Sequence, residues 1–260
     1  MTDSSNQRLL DLSGVTLSNR LDIAALQVNQ GECIHLIGPN GAGKSSLLLV
    51  MAGLIAPDSG SLLMMGKPIS QWSLASLATM RTILAQHAHV NFHLSVKEYL
   101  SFYSDLSEWR GIPPLLDKAL EVSSFMTKMV THLSGGERQR VEICRTLMQI
   151  WPQLVKGEGV VLLDEPLQGL DIRHQYALAQ LANVLSEKGN TVIVSSHDIK
   201  LSANYSDRLW LMHEGKVVAD GNPSQVVTQA NLERIFECHF AISKHDNFLE
   251  IQVCAPISLE

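Results

Sequence analysis

Residues 32–46 read ECIHLIGPNGAGKSS, and this stretch decides the fold class. The apolar run that ends at Ile37 predicts a β-strand, and Lys44 to Ala52 predicts a helix that ends at Gly53. The glycines between the two elements let the backbone wrap closely around phosphate oxygens, since glycine has no obstructing side chain. A strand, a glycine-rich loop and a helix in this order are typical of a phosphate-binding loop.

The loop carries the groups that a nucleoside triphosphate needs. Its backbone N–H groups point inward, and the N-terminus of the following helix adds a partial positive charge. Lys44 would supply a cation to the β- and γ-phosphates, and Ser45 would supply a hydroxyl to magnesium. The predicted nucleotide-binding residues of the loop are Gly38, Pro39, Asn40, Gly41, Ala42, Gly43, Lys44, Ser45 and Ser46.

A second segment places two carboxylates after an apolar strand. Val160 to Leu163 predicts a buried strand, and Asp164 and Glu165 follow it directly. Open α/β sheets bind ligands at the carboxyl ends of their strands, so these acids would lie beside the phosphate-binding loop. A solvated acid pair at the end of a strand would explain the same residues, and the pair alone does not decide between the two interpretations.

Residues 133–137 read LSGGE and begin a predicted helix. Two glycines at a helix N-terminus form an anion site, because unpaired N–H groups and the helix dipole point at the ligand. Ser134 and Glu137 also fit a capping box, in which each side chain satisfies a backbone N–H of the other residue. The two roles are compatible. Further along the chain, Ser195 to Asp198 follows another apolar run.

These segments, in this order, resemble the ATP-binding cassette (ABC) family, and the resemblance covers about Leu10 to Gly221. It implies an α/β fold of the P-loop NTPase class, with a RecA-like parallel-sheet core, a helical subdomain and a small antiparallel β subdomain. We expect a disordered tail at 1–7 and the ATPase domain at 8–240, with the helical subdomain inserted at about 92–150. A C-terminal strand pair would follow at 241–260.

The resemblance also implies ATP and Mg²⁺ as the bound groups and assigns roles to single residues. Asp164, Ser45 and Gln86 would hold magnesium. Glu165 would act as the general base or position the attacking water, and His197 would bond the γ-phosphate. Gln86 would also touch the attacking water. A lone glutamine is usually a surface residue, and a lone histidine is usually structural. The roles of Gln86 and His197 therefore depend on where they lie in the ordered series of family motifs.

In the resembled family the segment at 133–137 closes on the γ-phosphate held by a second copy. Transferred to this sequence, this implies a homodimer that closes on ATP, since one chain carries one cassette. It also implies two integral membrane permease subunits, a periplasmic substrate-binding protein, and a place on the cytoplasmic face of the bacterial inner membrane. The predicted residues of the dimer-facing side are Ser134, Gly135, Gly136 and Asp171.

Composition and charge argue against several other classes of protein. The 260 residues carry a net charge of −6 and a pI of about 5.9, which disfavours a nucleic-acid partner. The four cysteines are too widely spaced for a metal site or a disulfide framework. The longest apolar run, Leu47 to Ala56, is about half the length of a membrane span, so another chain would have to supply one.

Two departures from the family pattern narrow the prediction. No Phe, Tyr or Trp occurs before Trp72, so adenine would need another partner, such as Arg20 through cation–π stacking. The link from Ile150 to Gly159, predicted to be a loop from Trp151 onward, is longer than in most cassettes. Together with Gln71 to Ser73, these features are similar to the ATPase subunits of bacterial cobalamin (vitamin B12) importers. The cargo rests on resemblance alone, because no residue of this chain would touch the vitamin.

Other interpretations use the same residues. An iron-siderophore or haem importer ATPase is the main alternative. A soluble cassette ATPase of DNA repair, chromosome structure or translation is less favoured. Chromosome-type members of the resembled family carry a long coiled coil between the two motifs, whereas 90 residues without sustained heptads separate Lys44 from Ser134. Translation-type members carry two cassettes on one chain, this chain carries one, and its pI is acidic. His87 to Leu94, which holds three histidines, would line a permease-docking groove or form an ordinary exposed loop. A metal site there would lack an acid or a cysteine.

Overall fold

The computed structural model describes residues 7–85, 93–102, 111–246 and 248–256. Within these ranges the strands are β1 (Arg8–Leu17), β2 (Leu21–Asn29), β3 (Cys33–Ile37), β4 (Ser59–Met64), β5 (Lys67–Pro68), β6 (Arg81–Leu84), β7 (Val160–Asp164), β8 (Thr191–Ser196), β9 (Arg208–His213), β10 (Lys216–Gly221), β11 (Cys238–His245) and β12 (Phe248–Pro256). The α-helices are α1 (Lys44–Met51), α2 (Leu74–Met80), α3 (Val96–Ser101), α4 (Pro114–Leu120), α5 (Gly135–Gln149), α6 (Trp151–Lys156), α7 (Ile172–Glu187), α8 (Ile199–Tyr205), α9 (Pro223–Val226) and α10 (Gln229–Phe236).

A six-stranded sheet forms the centre of the molecule, in the order β10-β9-β3-β8-β7-β6. Strands β9, β3, β8, β7 and β6 run parallel, and β10 pairs antiparallel with β9 at one edge. Every residue of β3, β7 and β8 is buried. A strand covered on both faces needs apolar side chains on both faces, so these segments are nearly continuous apolar runs. The predicted parallel α/β core is confirmed.

Strand register brings the chemically important segments to one edge of this sheet. Ile37, the last residue of β3, lies opposite Ser196 of β8, and Asp164 of β7 lies opposite Ser195. The phosphate-binding loop and the acid pair therefore leave the sheet at the same end, with only β8 between their strands. This carboxyl edge is where open α/β sheets bind ligands.

A second sheet, antiparallel and in the order β2-β1-β4-β5, packs over helix α1. Leu12 of β1 and Leu47 of α1 share a buried apolar cluster with Trp210 of β9. Two backbone hydrogen bonds run from the start of β2 to the loop after β3: Asp22 N–H donates to the Gly215 carbonyl, and Gly215 N–H donates to the Ala42 carbonyl. The predicted small antiparallel β subdomain is confirmed, and it braces the phosphate-binding loop.

Helices α3 to α6, here called the helical region, pack on one another and on the central sheet. Their buried apolar side chains form one cluster with Leu163 of β7 and Val194 of β8. A capping box of Ser95 and Glu98 starts helix α3. The described part of this region confirms the predicted helical subdomain, while its limits at about 92 and 150 stay a prediction.

The loop predicted from Trp151 to Gly159 is wrong, because Trp151–Lys156 forms helix α6. Pro152 lies in the first turn, where a missing N–H has no partner to lose. Leu154 is buried, and Gly157 ends the helix in the left-handed conformation with a φ of 78°. Six residues are too few to show a 3.6-residue apolar period, so the pattern gave no helix signal.

The hairpin of β11 and β12 packs on α8 and α10, and buries Phe240 and Leu249. The side-chain amide of Asn204 in α8 holds it, donating to the Leu249 carbonyl at 2.9 Å and accepting from the Leu249 N–H at 2.8 Å. A C-terminal strand pair is thus present, and the domain boundary at 240 stays a prediction. None of the helices named above has the length and apolar character that crossing a bilayer demands.

Candidate active site

The phosphate-binding loop is packed against two backbone segments that leave no room for side chains at Gly38 and Gly43. A Cβ on Gly38 would lie 2.3 Å from the carbonyl oxygen of Met212 in β9. A Cβ on Gly43, whose φ is 99°, would lie 2.6 Å from the carbonyl oxygen of Arg20. Both positions therefore require glycine for packing, in addition to any need for close approach to a ligand.

Lys44 is the buried cation of the site, with 5% of its surface exposed. Its side chain turns back over the loop, and Nζ donates to the carbonyl oxygens of Gly38 at 2.8 Å and Pro39 at 3.0 Å. Burial lowers the pKa of Lys44, and the negative charges of Glu165 and Asp164 oppose that shift. An ammonium group in this position is suited to bind an anion in the loop.

A cavity of about 490 Å³ opens over the loop. This volume lies within the range of small-molecule sites. Arg20, the predicted partner of adenine, lies on its wall, and so does Asn19, which sequence reasoning missed. Asn19 has a φ of 57° in the turn between β1 and β2, and only the pairing of these strands places that turn beside the loop. The lining residues are Asn19, Arg20, Asn40, Gly41, Ala42, Gly43, Lys44, Ser45, Ser46 and Glu165.

Ser195 joins the two acids to strand β8. Its Oγ donates to Asp164 Oδ1 at 2.6 Å and accepts from the backbone N–H of Glu165 at 2.8 Å. Asp164 and Ser195 are both buried. Sequence reasoning assigned no role to Ser195, because its place opposite Asp164 follows from strand register. The hydroxyl fixes where the acid pair leaves the sheet.

Glu165 and His197 form a pair, with 2.5 Å between Glu165 Oε1 and His197 Nε2. Glu165 has a φ of 49°, and its side chain is 12% exposed, whereas that of His197 is 47% exposed. The carboxylate lines both the loop cavity and a neighbouring cavity of about 220 Å³. The second cavity is lined by Glu165, Leu167, Gln168, Gln175, Ser195, Ser196, His197 and Asp198.

The segment at 133–137 starts helix α5 with the predicted capping box. Ser134 Oγ accepts from the Glu137 N–H at 3.2 Å, and Glu137 Oε2 accepts from the Ser134 N–H at 2.9 Å. Lys128 Nζ donates to Glu137 Oε1 at 2.7 Å, and these hydrogen bonds lower the pKa of the Glu137 carboxyl. A Cβ on Gly136 would lie 2.7 Å from the Gly169 carbonyl oxygen, so the helix start touches the loop after β7.

Asp171 caps helix α7 beside this segment. Its Oδ1 accepts from the backbone N–H of His174 at 2.9 Å and lies 2.8 Å from His174 Nδ1. These hydrogen bonds from His174 lower the pKa of the Asp171 carboxyl. The Asp171 side chain is 67% exposed, so it is accessible on the molecular surface.

The predicted site residues thus fall into two groups. The loop, Asp164, Glu165 and His197 meet at the carboxyl edge of the sheet. The four residues predicted to face a second copy are absent from the walls of both cavities described above; they are Ser134, Gly135, Gly136 and Asp171. Gln86 and residues 87–92 lie outside the described residues, so the roles predicted for that segment stay predictions.

The first group suits a polyphosphate with a divalent cation. Magnesium is usually held by one or two carboxylates, hydroxyls and the phosphates of a bound nucleotide. Asp164 at the carboxyl end of β7 and Ser45 on the cavity wall offer such oxygen donors. The described ranges contain no preformed cluster of three His, Cys, Asp or Glu ligands. The oxygen donors of Asp164 and Ser45 fit a cation whose other ligands are the phosphates of a bound nucleotide.

Comparison with known proteins points to one family. Residues 21–168 match the sequence model of the ABC transporter family. A hemin import ATP-binding protein of Rhodopseudomonas palustris (strain BisB5) is 40% identical over 245 residues, which cover 93% of this chain and 92% of that protein. A vitamin B12 import ATP-binding protein of Yersinia pseudotuberculosis serotype I (strain IP32953) is 36% identical over 239 residues, covering 90% and 94%.

Solved structures share the fold. The ATP-binding subunit of an ABC transporter superposes with a TM-score of 0.72 at 25% identity, over 86% of this chain and 94% of that one. A metal-chelate type ABC transporter in an inward-facing conformation superposes with a TM-score of 0.73 at 19% identity, over 95% and 98%. The arrangement of sheets and helices described above is thus shared with these proteins.

Proposed function

Because the chain belongs to the ABC transporter family and is an import ATPase, we propose that it powers the uptake of a metal tetrapyrrole, cobalamin or hemin. Relatives that carry these two cargo names are 36% and 40% identical to it over about nine-tenths of its length. Trp72 and the absence of an earlier aromatic residue favour cobalamin, as the sequence predicted. The 40% identity of the hemin relative from strain BisB5, against 36% for the vitamin B12 relative, favours hemin.

One observation carries the ATPase mechanism: Lys44 and Glu165 face the same cavity. We propose that Lys44 holds the β- and γ-phosphates there while the loop N–H groups surround them. Ser45 and Ser46 line the same cavity. Asp164, Ser45 and Gln86 would hold Mg²⁺, which neutralises phosphate charge when bound.

Glu165 is proposed to orient or deprotonate the attacking water. The bond from its backbone N–H to Ser195 fixes the base of its side chain, which emerges between the two cavities. His197 is proposed to bond the γ-phosphate from the second cavity, and its contact with Glu165 and its half-exposed side chain support this role. A carboxylate positioned by protein groups before the reaction loses little reorganisation energy in the transition state.

We propose that a second copy completes each site. Ser134, Gly135, Gly136 and Asp171 lie off the walls of the cavity that holds Lys44. The exposed start of α5 would supply N–H groups to the γ-phosphate of the other copy, and two sites would form per dimer. The homodimer would dock on two permease subunits at the cytoplasmic face of the bacterial inner membrane, served by a periplasmic substrate-binding protein. No nucleic acid is involved.

Uptake in cells that lack the protein tests the proposal. Complementation with the unchanged chain should restore uptake of labelled cobalamin or labelled hemin, and Glu165→Gln should not. Glu158→Gln is the matched control, since Glu158 is exposed and remote from the cavities. Co-purification from detergent-solubilised membranes should bring down a polytopic permease. If cells that lack the protein still take up both labelled cobalamin and labelled hemin, the proposed cargo class is wrong. If no membrane protein co-purifies, the proposed transport role is wrong.

A further inference from the structure

Among the described residues, the hydrogen bonds to the Asp171 side chain come from His174 and reach one carboxylate oxygen. Oδ1 accepts the His174 backbone N–H and lies 2.8 Å from the ring Nδ1. Within the described part of the chain, no hydrogen bond reaches Oδ2 of this exposed carboxylate. His174 itself is 7% exposed, so its ring is fixed by packing. One oxygen of Asp171 is thus anchored while the other is presented at the surface.

The other nitrogen of the His174 ring contacts the helical region. Arg140 Nη1 of helix α5 lies 3.0 Å from His174 Nε2. Arginine stays protonated and only donates, so Nε2 must accept and the ring proton must sit on Nδ1. The proton on Nδ1 then donates to Asp171. This hydrogen-bond pattern orders the three residues as a chain from guanidinium to imidazole to carboxylate.

Arg140 is fixed by residues of the helical region. The same Nη1 donates to the Leu120 carbonyl oxygen at 2.9 Å, and the guanidinium lies 5.0 Å from the centre of the Phe125 ring. Leu120 and Phe125 are both buried. Glu121 approaches His174 Nε2 at 3.5 Å and pairs with Arg173 of α7. Any shift of the helical region against α7 must therefore change the Arg140–His174 contact.

We propose that His174 is a positioning residue that couples the orientation of Asp171 to the position of the helical region through Arg140. The proposal rests on the proposed function, in which Asp171 faces a second copy of the chain. The hydrogen bond from His174 Nδ1–H fixes the orientation of the Asp171 carboxylate, and the hydrogen bond at Nε2 depends on the position of Arg140. The link would align Asp171 for the closed dimer only when the helical region is seated on α7.

Two substitutions at His174 separate this role from simple helix capping. Asparagine places an amide N–H near the position of Nδ1 and keeps the bond to Asp171, but it has no atom that reaches Arg140. Glutamine places its carbonyl oxygen near the position of Nε2 and can accept from Arg140. His239→Asn is the matched control, because His239 is a surface histidine that also contacts an acid, Glu233, at 3.3 Å.

The measurement is ATP turnover by the full transporter with its permease in lipid, as a function of ATP concentration. His174→Asn is expected to lower kcat about tenfold, an effect in the range of other substitutions along coupling networks. The KM for ATP should stay unchanged, because His174 does not line the nucleotide cavity. His174→Gln should recover part of kcat, and His239→Asn should match the unchanged transporter. The thermal unfolding midpoint of each variant shows that the fold is retained.

A kcat for His174→Asn equal to that of the unchanged transporter would overturn the coupling and leave only the capping role. A rise in KM in place of the fall in kcat would overturn it as well. If the unchanged transporter does not hydrolyse ATP, the proposed function is wrong. This assay precedes the construction of any variant, so the two failures can be distinguished.

Discussion

The nucleotide side and the proposed dimer-facing side of this molecule satisfy their polar groups in different ways. On the nucleotide side, Lys44 and Glu165 come from distant parts of the chain and meet in one cavity. On the dimer-facing side, Ser134 is satisfied by Glu137 and Asp171 by His174, each only three residues away. The first arrangement is built by the central sheet, and the second by the ends of two helices.

The difference shows which half of the site is assembled before ATP arrives. Buried groups such as Lys44 and Asp164 are fixed by backbone carbonyls and by the Ser195 hydroxyl. Exposed helix starts are stable alone because their caps are local, yet they leave surface N–H groups for a partner. Changes on the nucleotide side should therefore alter binding or chemistry, and changes on the dimer-facing side should alter stability or dimer closure.

Glu165→Gln should have the largest effect. The amide cannot accept a proton, so hydrolysis should fall by about 10²–10⁴-fold, the usual contribution of a general base. ATP binding should persist, because Lys44 and the loop are unchanged, and an ATP-bound dimer should accumulate. ATPase assays and size-exclusion chromatography with ATP measure the two effects. Rapid hydrolysis by this variant, with Glu158→Gln as the reference, would remove Glu165 from the chemistry.

Lys44→Ala should weaken ATP binding about 10–100-fold, since charge-assisted hydrogen bonds contribute about 1.5–3 kcal/mol. The loss should appear in the dissociation constant measured by calorimetry on the isolated chain, before any dimer forms. Lys200→Ala is a suitable control, because Lys200 pairs with Glu250 at the surface and lines neither cavity. An unchanged affinity would contradict the assignment of the phosphate-binding loop.

Gly136→Ala and Gly135→Ala test how tightly the start of helix α5 packs, through the free energy of unfolding of each variant. The added Cβ at Gly136 would lie 2.7 Å from the Gly169 carbonyl oxygen, whereas that at Gly135 would meet nothing within 4 Å. Overpacking typically costs about 1–3 kcal/mol, and alanine in a helix gains up to about 1 kcal/mol over glycine. Urea unfolding should therefore show destabilisation at 136 and none at 135. If the two variants have equal free energies of unfolding, the loop at Gly169 moves to accommodate the added Cβ without a measurable cost.

Local sequence signals predicted the parts of the site that depend on nearby residues. The strand, loop and helix around Gly38 to Ser45 are contiguous, and the box of Ser134 and Glu137 spans three residues, so pattern alone suffices for both. The meeting of Asp164 with the loop followed from a general rule of parallel sheets.

Long-range contacts were not predictable in this way. Ser195 bridges Asp164 and Glu165 only because β7 and β8 pair in one register. Asn19 reaches the cavity through the turn of a hairpin, and Arg140 meets His174 from a different helix. Each of these contacts depends on three-dimensional packing that no short sequence pattern encodes.

The smallest effect at neutral pH should come from His35, which lies in β3 beneath the nucleotide side. The ring is buried, neither nitrogen has a hydrogen-bond partner among the described residues, and an apolar cavity of about 10 Å³ adjoins it. Burial lowers the pKa of His35 to about 4 from its usual 6.5. Folding therefore requires a neutral ring, while the unfolded chain takes up a proton below pH 6.5.

Stability should consequently fall as the pH drops from 6.5 toward 4, because the unfolded state binds more protons in that window. For His35 alone the loss between pH 7 and pH 5 is about 2 kcal/mol, at 1.36 kcal/mol per pKa unit. His35→Leu removes this titration and, since an unpartnered polar ring is lost, should cost little at pH 7. Urea unfolding at both pH values should show a steeper loss for the unchanged chain than for the variant. If the unchanged chain and the variant lose the same unfolding free energy between pH 7 and pH 5, the His35 ring is protonated in the folded state or finds a partner there. The interior beneath the nucleotide side would then be less rigidly packed than its buried groups suggest.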